Sequence, residues 1–237
     1  MYHSHHLTLL ILLAHGLSNA SAQSSNHNFQ LEKVEPVVGI NDSVQSIEIS
    51  PNGRIIAVGT DVGIQLFRSD NLRPISSANI SRGSAVGISF SANSKIIATV
   101  GSYRHPSFWS AEDGRLLHTT SEKRWGWNIP THPELLECIS SGMNPAISKW
   151  NMVNGELMQE VETDFSHVSC LLVLPDGKHF ISCGIYKNAR EHRYKLELRD
   201  YATMQLVRVL QEAKNQIYTM AISPDHSGLP PFSDTQL

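Results

Sequence analysis

The sequence predicts an all-β fold built from repeated units of four antiparallel strands. A turn of the Ser-Pro-Asn-Gly type recurs with steps of 41, 41, 42 and 49 residues, and its second position falls at Pro51, Ala92, Pro133, Pro175 and Pro224. Pro followed by Asn or Asp and then Gly is the combination that tight antiparallel turns favour. After residue 22, no ten-residue stretch shows a strong helical period of apolar residues. The repeat therefore predicts strands joined by hairpins.

Each unit reads as strand, turn, strand, loop, strand, turn, strand. Five positions after the second turn position stand the apolar residues Ile56, Ile97, Cys138 and Phe180. The second strand closes on Gly59, Gly101, Gly142 and Gly184. The third strand ends near Phe67, Trp109, Trp150 and Arg199. Four strands in about 40–45 residues is the length of one propeller blade, whose apolar faces are covered by neighbouring blades.

The region from Val44 to Ser223 resembles a WD-repeat β-propeller in its period, its turn and its third-strand Trp. It departs from that family in two respects. Of the Trp-Asp dipeptide only Asp200 is kept, and the Asp-His-Ser-Trp hydrogen-bonded tetrad is complete in no unit. The resemblance implies a non-enzymatic platform for protein partners.

The repeat divides the chain into four complete blades and a partial fifth. The blades span about 44–83, 84–124, 125–165 and 166–213. The partial blade, 214–223, has one predicted strand at 217–223, and a Pro-rich unstructured tail follows at 224–237. Propellers of this type usually carry about seven blades, so we expect a truncated piece of a longer propeller. The alternative is a small propeller closed by an N-terminal strand at 29–37. An open end also predicts self-association.

The first 22 residues predict a cleavable signal peptide, followed by an N-terminal segment at 23–43. Leu7–Leu17 is an apolar run, and small residues precede a cleavage point after Ala22. This places the protein in the secreted or periplasmic space, although the region before the run has no Lys or Arg. An apolar tail or a lipid-surface anchor is the alternative interpretation.

The composition and the absence of known motifs argue against several classes of protein function. The net charge of −3 lacks the basic excess of nucleic-acid binders, and no apolar run reaches the about 20 residues of a membrane span. Nucleotide-binding, nucleophile-elbow and zinc-protease signatures are absent. We therefore predict no catalytic residue, no metal site and no cofactor, and we expect His132, His179 and His226 to be solvated turn residues. A propeller-type hydrolase or lactonase with a central metal, and a glycan-binding lectin, are the alternatives.

The predicted partner-binding residues fall in loops that the repeat assigns to one end of the propeller. They are Tyr103, Arg104, Lys123, Arg124, Trp125, Tyr186, Lys187, Arg190 and Arg193. Basic groups beside Tyr and Trp can pair with anions and stack on flat surfaces. This pattern predicts a protein partner, an acidic one by charge, with a glycan or a merely solvated rim as alternatives. The arginines among them are expected to form one basic patch.

Two cysteines are predicted to face each other. Counting outward from the turn at Asp176–Gly177 places Cys170 opposite Cys183 on neighbouring strands. In an exported protein they could form a disulfide, although directly paired strand positions strain such a bond. Two free thiols are the alternative, and Cys138 is expected to be a buried thiol.

Overall fold

The computed structural model describes residues 42–79, 84–101, 104–120, 125–187 and 194–222. Within these ranges all regular secondary structure is β-strand. The strands form four antiparallel sheets, each with four strands in chain order. Blade one contains β1 Val44–Ile49, β2 Ile55–Thr60, β3 Gly63–Arg68 and β4 Pro74–Asn79. Blade two contains β5 Gly87–Phe90, β6 Ile96–Gly101, β7 Arg104–Ser110 and β8 Leu116–Thr119. Blade three contains β9 Gly126–Asn128, β10 Glu137–Gly142, β11 Ala146–Asn151 and β12 Leu157–Glu162. Blade four contains β13 Phe165–Val173, β14 His179–Tyr186, β15 Tyr194–Asp200 and β16 Leu206–Ala213.

The repeated turn joins the first two strands of each blade and is held by its own side chains. In blade one, Ser50 Oγ donates to Asn52 Oδ1 at 2.8 Å and accepts the Ile55 N–H at 2.9 Å. Ser91 makes the same two bonds in blade two. The fourth turn position has a positive φ at Gly53 (70°), Ser94 (60°) and Gly177 (64°). Glycine adopts this conformation without a Cβ clash, which explains the pattern seen in the sequence.

Apolar clusters between neighbouring blades form the core. Between blades one and two they join Ala57 and Leu66 to Phe90, Ile97 and Trp109. Between blades two and three they join Ala98 and Phe108 to Ile129, Trp150 and Met152. Between blades three and four they join Ile139 and Ile147 to Phe165, Leu171 and Phe180. A single blade therefore depends on its neighbours for burial of its faces, as expected of stacked repeats.

Blades two and three each keep part of the hydrogen-bonded tetrad of the WD-repeat family. In both blades a Trp side chain donates to a hydroxyl side chain. Trp109 Nε1 donates to Thr99 Oγ1 at 2.9 Å, and Trp150 Nε1 donates to Ser140 Oγ at 2.8 Å. All four residues are buried. Each bond ties the third strand to the second strand of its own blade.

In blade four an arginine takes the place of the tryptophan. Arg199 Nε donates to Ser182 Oγ at 3.1 Å, and Arg199 Nη2 lies 2.6 Å from Glu197 Oε2. Both members of the ion pair are buried. Blade one has Phe67 in place of the Trp and Val58 in place of the hydroxyl residue, so it lacks both the donor and the acceptor of this hydrogen bond.

The glycine that closes the second strand of each blade recurs for a steric reason. A Cβ built on Gly101 would lie 1.6 Å from the Ser84 carbonyl oxygen, and one on Gly142 would lie 1.7 Å from the Trp125 carbonyl oxygen. Only glycine permits this approach of one main chain to another. The glycines thus bring the first strand of the blade close to the second.

The predicted first strand of a fifth blade is not a strand in the structure. Residues 217–222 are irregular, although Met220 and Ile222 pack against an apolar cluster of blade four. A strand requires a paired neighbour, and within the described ranges none lies alongside this segment. The predicted signal peptide, the strand at 29–37 and the tail at 224–237 lie outside the described residues. No described helix is long and apolar enough to cross a membrane.

Candidate partner-binding surface

The two ends of the propeller carry different connections because successive strands run in opposite directions. The loop end carries the connections between strands two and three and those between consecutive blades. The turn end carries the turns between strands one and two and between strands three and four. Trp125 directly precedes β9 and Tyr186 ends β14 beside Lys187, so these residues lie at the loop end.

The other predicted partner-binding residues cannot be assigned side-chain positions. Arg104 begins β7 at the loop end, but only its backbone is described. Tyr103, Lys123, Arg124, Arg190 and Arg193 lie outside the described residues. The single basic patch of arginines therefore stays a prediction.

Aromatic rings are fixed at the loop end over blades three and four. The Trp125 side chain is 38% exposed, and its carbonyl oxygen accepts the Met143 N–H at 3.2 Å. Trp127 and His167 meet edge to face with ring centroids 5.4 Å apart. Burial lowers the pKa of His167, which favours the neutral form of this imidazole. The loop end thus presents an exposed indole at Trp125 and an edge-to-face pair of Trp127 and His167.

Two lysines at this end are held by neighbouring groups. Lys195 Nζ lies 4.0 Å from the centre of the Tyr186 ring and 3.5 Å from Glu212 Oε1. Lys187 Nζ donates to the Thr163 carbonyl oxygen at 3.3 Å, and its side chain remains 42% exposed. Lys187 Nζ also lies 3.9 Å from Glu162 Oε2. Exposed ion pairs of this kind contribute little to stability, so the Lys187 cation can exchange partners at low cost.

The predicted pairing of the two cysteines is present. Cys170 and Cys183 are directly opposed in the β13–β14 ladder. Both are free thiols in this structure, so the disulfide itself stays a prediction. Burial raises the pKa of Cys183 to about 11, which keeps that thiol protonated at neutral pH. Cys138 is fully buried, and burial raises the pKa of its thiol, in agreement with a structural role.

A cleft that the sequence did not predict lies at the turn end between blades three and four. This cleft has a volume of about 540 Å³, and its lining includes Leu135, Glu137, Lys149, Met158, His179 and Asp200. Its size falls in the range of small-molecule sites. The mixture of both charges with apolar groups favours no single ligand class.

Lys149 lies in this cleft and links the two blades. Its Nζ donates to the carbonyl oxygens of Tyr201 at 2.5 Å and Ala202 at 3.2 Å. Burial lowers the pKa of Lys149, while Glu137 and Asp200 act in the opposite direction. The buried Tyr201 hydroxyl has no hydrogen-bond partner within the described part of the chain. The sequence did contain a sign of this unusual lysine. Lys149 stands at the repeat position where the other blades have the apolar residues Leu66, Phe108 and Leu198.

The expectation of solvated turn histidines was wrong for His132. This residue is 4% exposed, and its Nδ1 accepts the N–H groups of Glu134 and Leu135 at 3.1 and 2.9 Å. Its Nε2 lies 2.8 Å from the Gly177 carbonyl oxygen and is therefore the protonated nitrogen. The ring acts as a bridge between the turns of blades three and four. His226 lies outside the described residues.

No group of three or more His, Cys, Asp and Glu side chains that could hold a metal ion occurs among the described residues. No protein-family model matches the chain. Among curated proteins, DDB1- and CUL4-associated factor 13 of Dictyostelium discoideum is 34% identical over 90 residues, which are 38% of this chain and 20% of that protein.

The fold itself has close structural counterparts. The WD40 repeats of RRP9 superpose with a TM-score of 0.62 at 12% identity, over 73% of this chain and 52% of that chain. U3-55K superposes with a TM-score of 0.61 at 12% identity, over 72% of this chain and 53% of that chain. This chain has the fold of a WD40-repeat β-propeller. It spans about half the length of these WD40 structures.

The same architecture occurs in a chain of Kuenenia stuttgartiensis hydrazine synthase, with a TM-score of 0.64 at 14% identity over 73% of this chain and 51% of that chain. At such identities the likeness concerns the fold alone. A similar fold therefore also occurs in a protein named as an enzyme, so the function of this chain must be argued from its surfaces.

Proposed function

We propose that this chain is an exported, non-enzymatic WD40-type propeller that binds a protein partner at its loop end. The observation that carries the proposal is the exposed indole of Trp125 at the same end as Tyr186 and Lys187. Large aromatic residues are the side chains most often responsible for binding energy at protein interfaces. The lysines at this end favour a partner with acidic groups.

The comparisons support the class of function rather than a particular partner. The curated relative is named as a factor associated with DDB1 and CUL4, and a role in protein association is the part that we carry over to this chain.

The sequence supports export through the apolar run Leu7–Leu17 and the small residues that follow it. N-terminal sequencing of exported material should begin at Gln23, and retention of Met1 in that material would contradict cleavage after Ala22.

The experiment compares two double variants of the purified chain in capture of partners from the extracellular or periplasmic fraction. Trp125→Ala/Lys187→Glu alters the loop end, and Leu135→Ala/Lys178→Glu makes matched changes at the exposed turn end. We expect the loop-end variant to lose about tenfold in affinity for the captured protein, with the loss shrinking as salt rises. Loss in the turn-end variant alone would overturn the proposal.

The alternative functions are separated by a second assay on the same material. Ester, lactone and glycoside substrates are tested with and without divalent metal, and a glycan array is probed in parallel. Turnover that is lost on chelation would indicate an enzyme. Glycan binding that depends on Trp125, without a captured protein, would indicate a lectin.

A further inference from the structure

Two positions on the first strand of a blade hold it against the preceding blade. They lie four and two residues before the second turn position. In blade two they are Ile88 and Phe90, which pack on Ala57 and Leu66 of blade one. In blade four they are Leu171 and Val173, which join the apolar cluster shared with blade three. In blade three, Ile129 directly follows β9 and packs on blade two from the first of these positions, while the second is Thr131.

In blade one these two positions are exposed. Ile47 and Ile49 lie four and two residues before Pro51, and they are 44% and 56% exposed. Their cross-strand partners are Val58 and Ile56, so they lie on the face of blade one that is opposite to blade two. Strand β1 therefore exposes to solvent the two positions through which blades two and four pack on the preceding blade.

Residues 217–222 make this contact with blade four. Met220 and Ile222 lie four and two residues before Pro224, and they pack against Leu174, Ile181 and Leu198. The segment is similar in sequence to β1, since IYTMAISP at 217–224 matches VQSIEISP at 44–51 with apolar residues at the same three positions.

A hydrogen bond supports the same assignment. Ser169 Oγ of blade four donates to the Ile217 carbonyl oxygen at 3.3 Å. Between blades one and two, Ser46 Oγ donates to the Ala85 carbonyl oxygen at 2.9 Å. Ile217 and Ala85 each lie seven residues before their second turn position. The segment thus occupies the place of a first strand, although it has no strand partner within the described residues.

We propose that β1 of a second copy of this chain competes with residues 217–222 for the face of blade four that points away from blade three. Both segments offer apolar side chains at matching positions, and β1 carries them exposed on a formed sheet. The contact continues the blade-to-blade interface already present three times within the chain. Because it joins blade four of one copy to blade one of another, it is heterologous and produces a closed ring or an open chain.

The test is sedimentation velocity of the full chain over a range of concentrations. Met220→Asp/Ile222→Asp weakens the hold of residues 217–222 without altering the face of blade four beneath them. We expect this variant to associate at least about tenfold more tightly than the wild type. Adding Ile47→Asp/Ile49→Asp to the same chain should abolish the association, which separates specific docking from general aggregation.

Val62→Asp provides a matched control, because Val62 is a 41% exposed apolar residue in the loop after β2. This change should leave association within about twofold of the wild type. A milder pair, Ile47→Thr/Ile49→Thr, keeps β-branched residues in the strand in case the aspartates prevent folding. Association that persists in folded Ile47/Ile49 variants, or that fails to increase in the Met220/Ile222 variant, would overturn the proposal.

Discussion

Arg199 shows how one residue can replace another while keeping a local bond. It donates to Ser182 from the position where blades two and three use Trp, and it adds a buried ion pair to Glu197. Burying two charges is costly, and only close geometry with further hydrogen bonds offsets that cost. Arg199 Nη1 supplies one such bond to the Met204 carbonyl oxygen at 3.2 Å. The repeat predicted the position of Arg199, but not its partner two residues earlier.

Glu48 should make stability depend on pH. Burial raises the pKa of its carboxyl from 4.5 to about 7, and its strand partner Ala57 lies in the cluster shared with blade two. Between these two values the folded chain holds a proton that the unfolded chain has released. Stability is therefore full below about pH 4.5 and falls as the pH rises through about 7, by about 3 kcal/mol at most.

Glu48→Gln should remove this loss and raise the free energy of unfolding at pH 8. Urea unfolding measured at pH 5 and pH 8 checks the prediction. Glu112→Gln, at an exposed turn position, is the control and should leave the pH dependence unchanged. An unaltered pH dependence in the Glu48 variant would show that this carboxyl is not buried as described.

At the level of elements, the sequence predicted the hairpins well because their chemistry is local. Pro, Asn, Ser and Gly in the turns act within a few residues, and the apolar columns repeat with the blade. Residues 217–222 were predicted as a strand, but strand formation needs a neighbour that the apolar pattern cannot supply. The cleft around Lys149 was missed because its groups come from two blades, and only their packing brings them together.

Gly142 offers a test of the contact between β9 and β10. A Cβ at this position would lie 1.7 Å from the Trp125 carbonyl oxygen, which is main chain and cannot rotate away. Gly142→Ala should therefore destabilise the fold by about 1–3 kcal/mol, measured by urea unfolding. Gly53→Ala is the comparison, because its added Cβ meets nothing within 4 Å and its cost arises only from the φ of 70°. Equal losses of about 1 kcal/mol in both variants would contradict the close approach.

For the whole molecule, the central claim is a stack of four blades stabilised by contacts between neighbours. Blades two and three are covered by a blade on both faces, while blades one and four each have one face without a neighbouring blade among the described residues. In stacked repeats the stability of a unit includes its interfaces, so the two middle blades should open least often.

Hydrogen exchange of the dilute chain, followed by mass spectrometry of its peptides, tests this claim most directly. The account predicts the slowest exchange in β6 and β10, the second strands of the middle blades, and faster exchange in β14 of blade four. The segment at 217–222, held only along one face, should exchange before any of these strands. Uniform exchange across the four blades, or slowest exchange in blade four, would contradict the account.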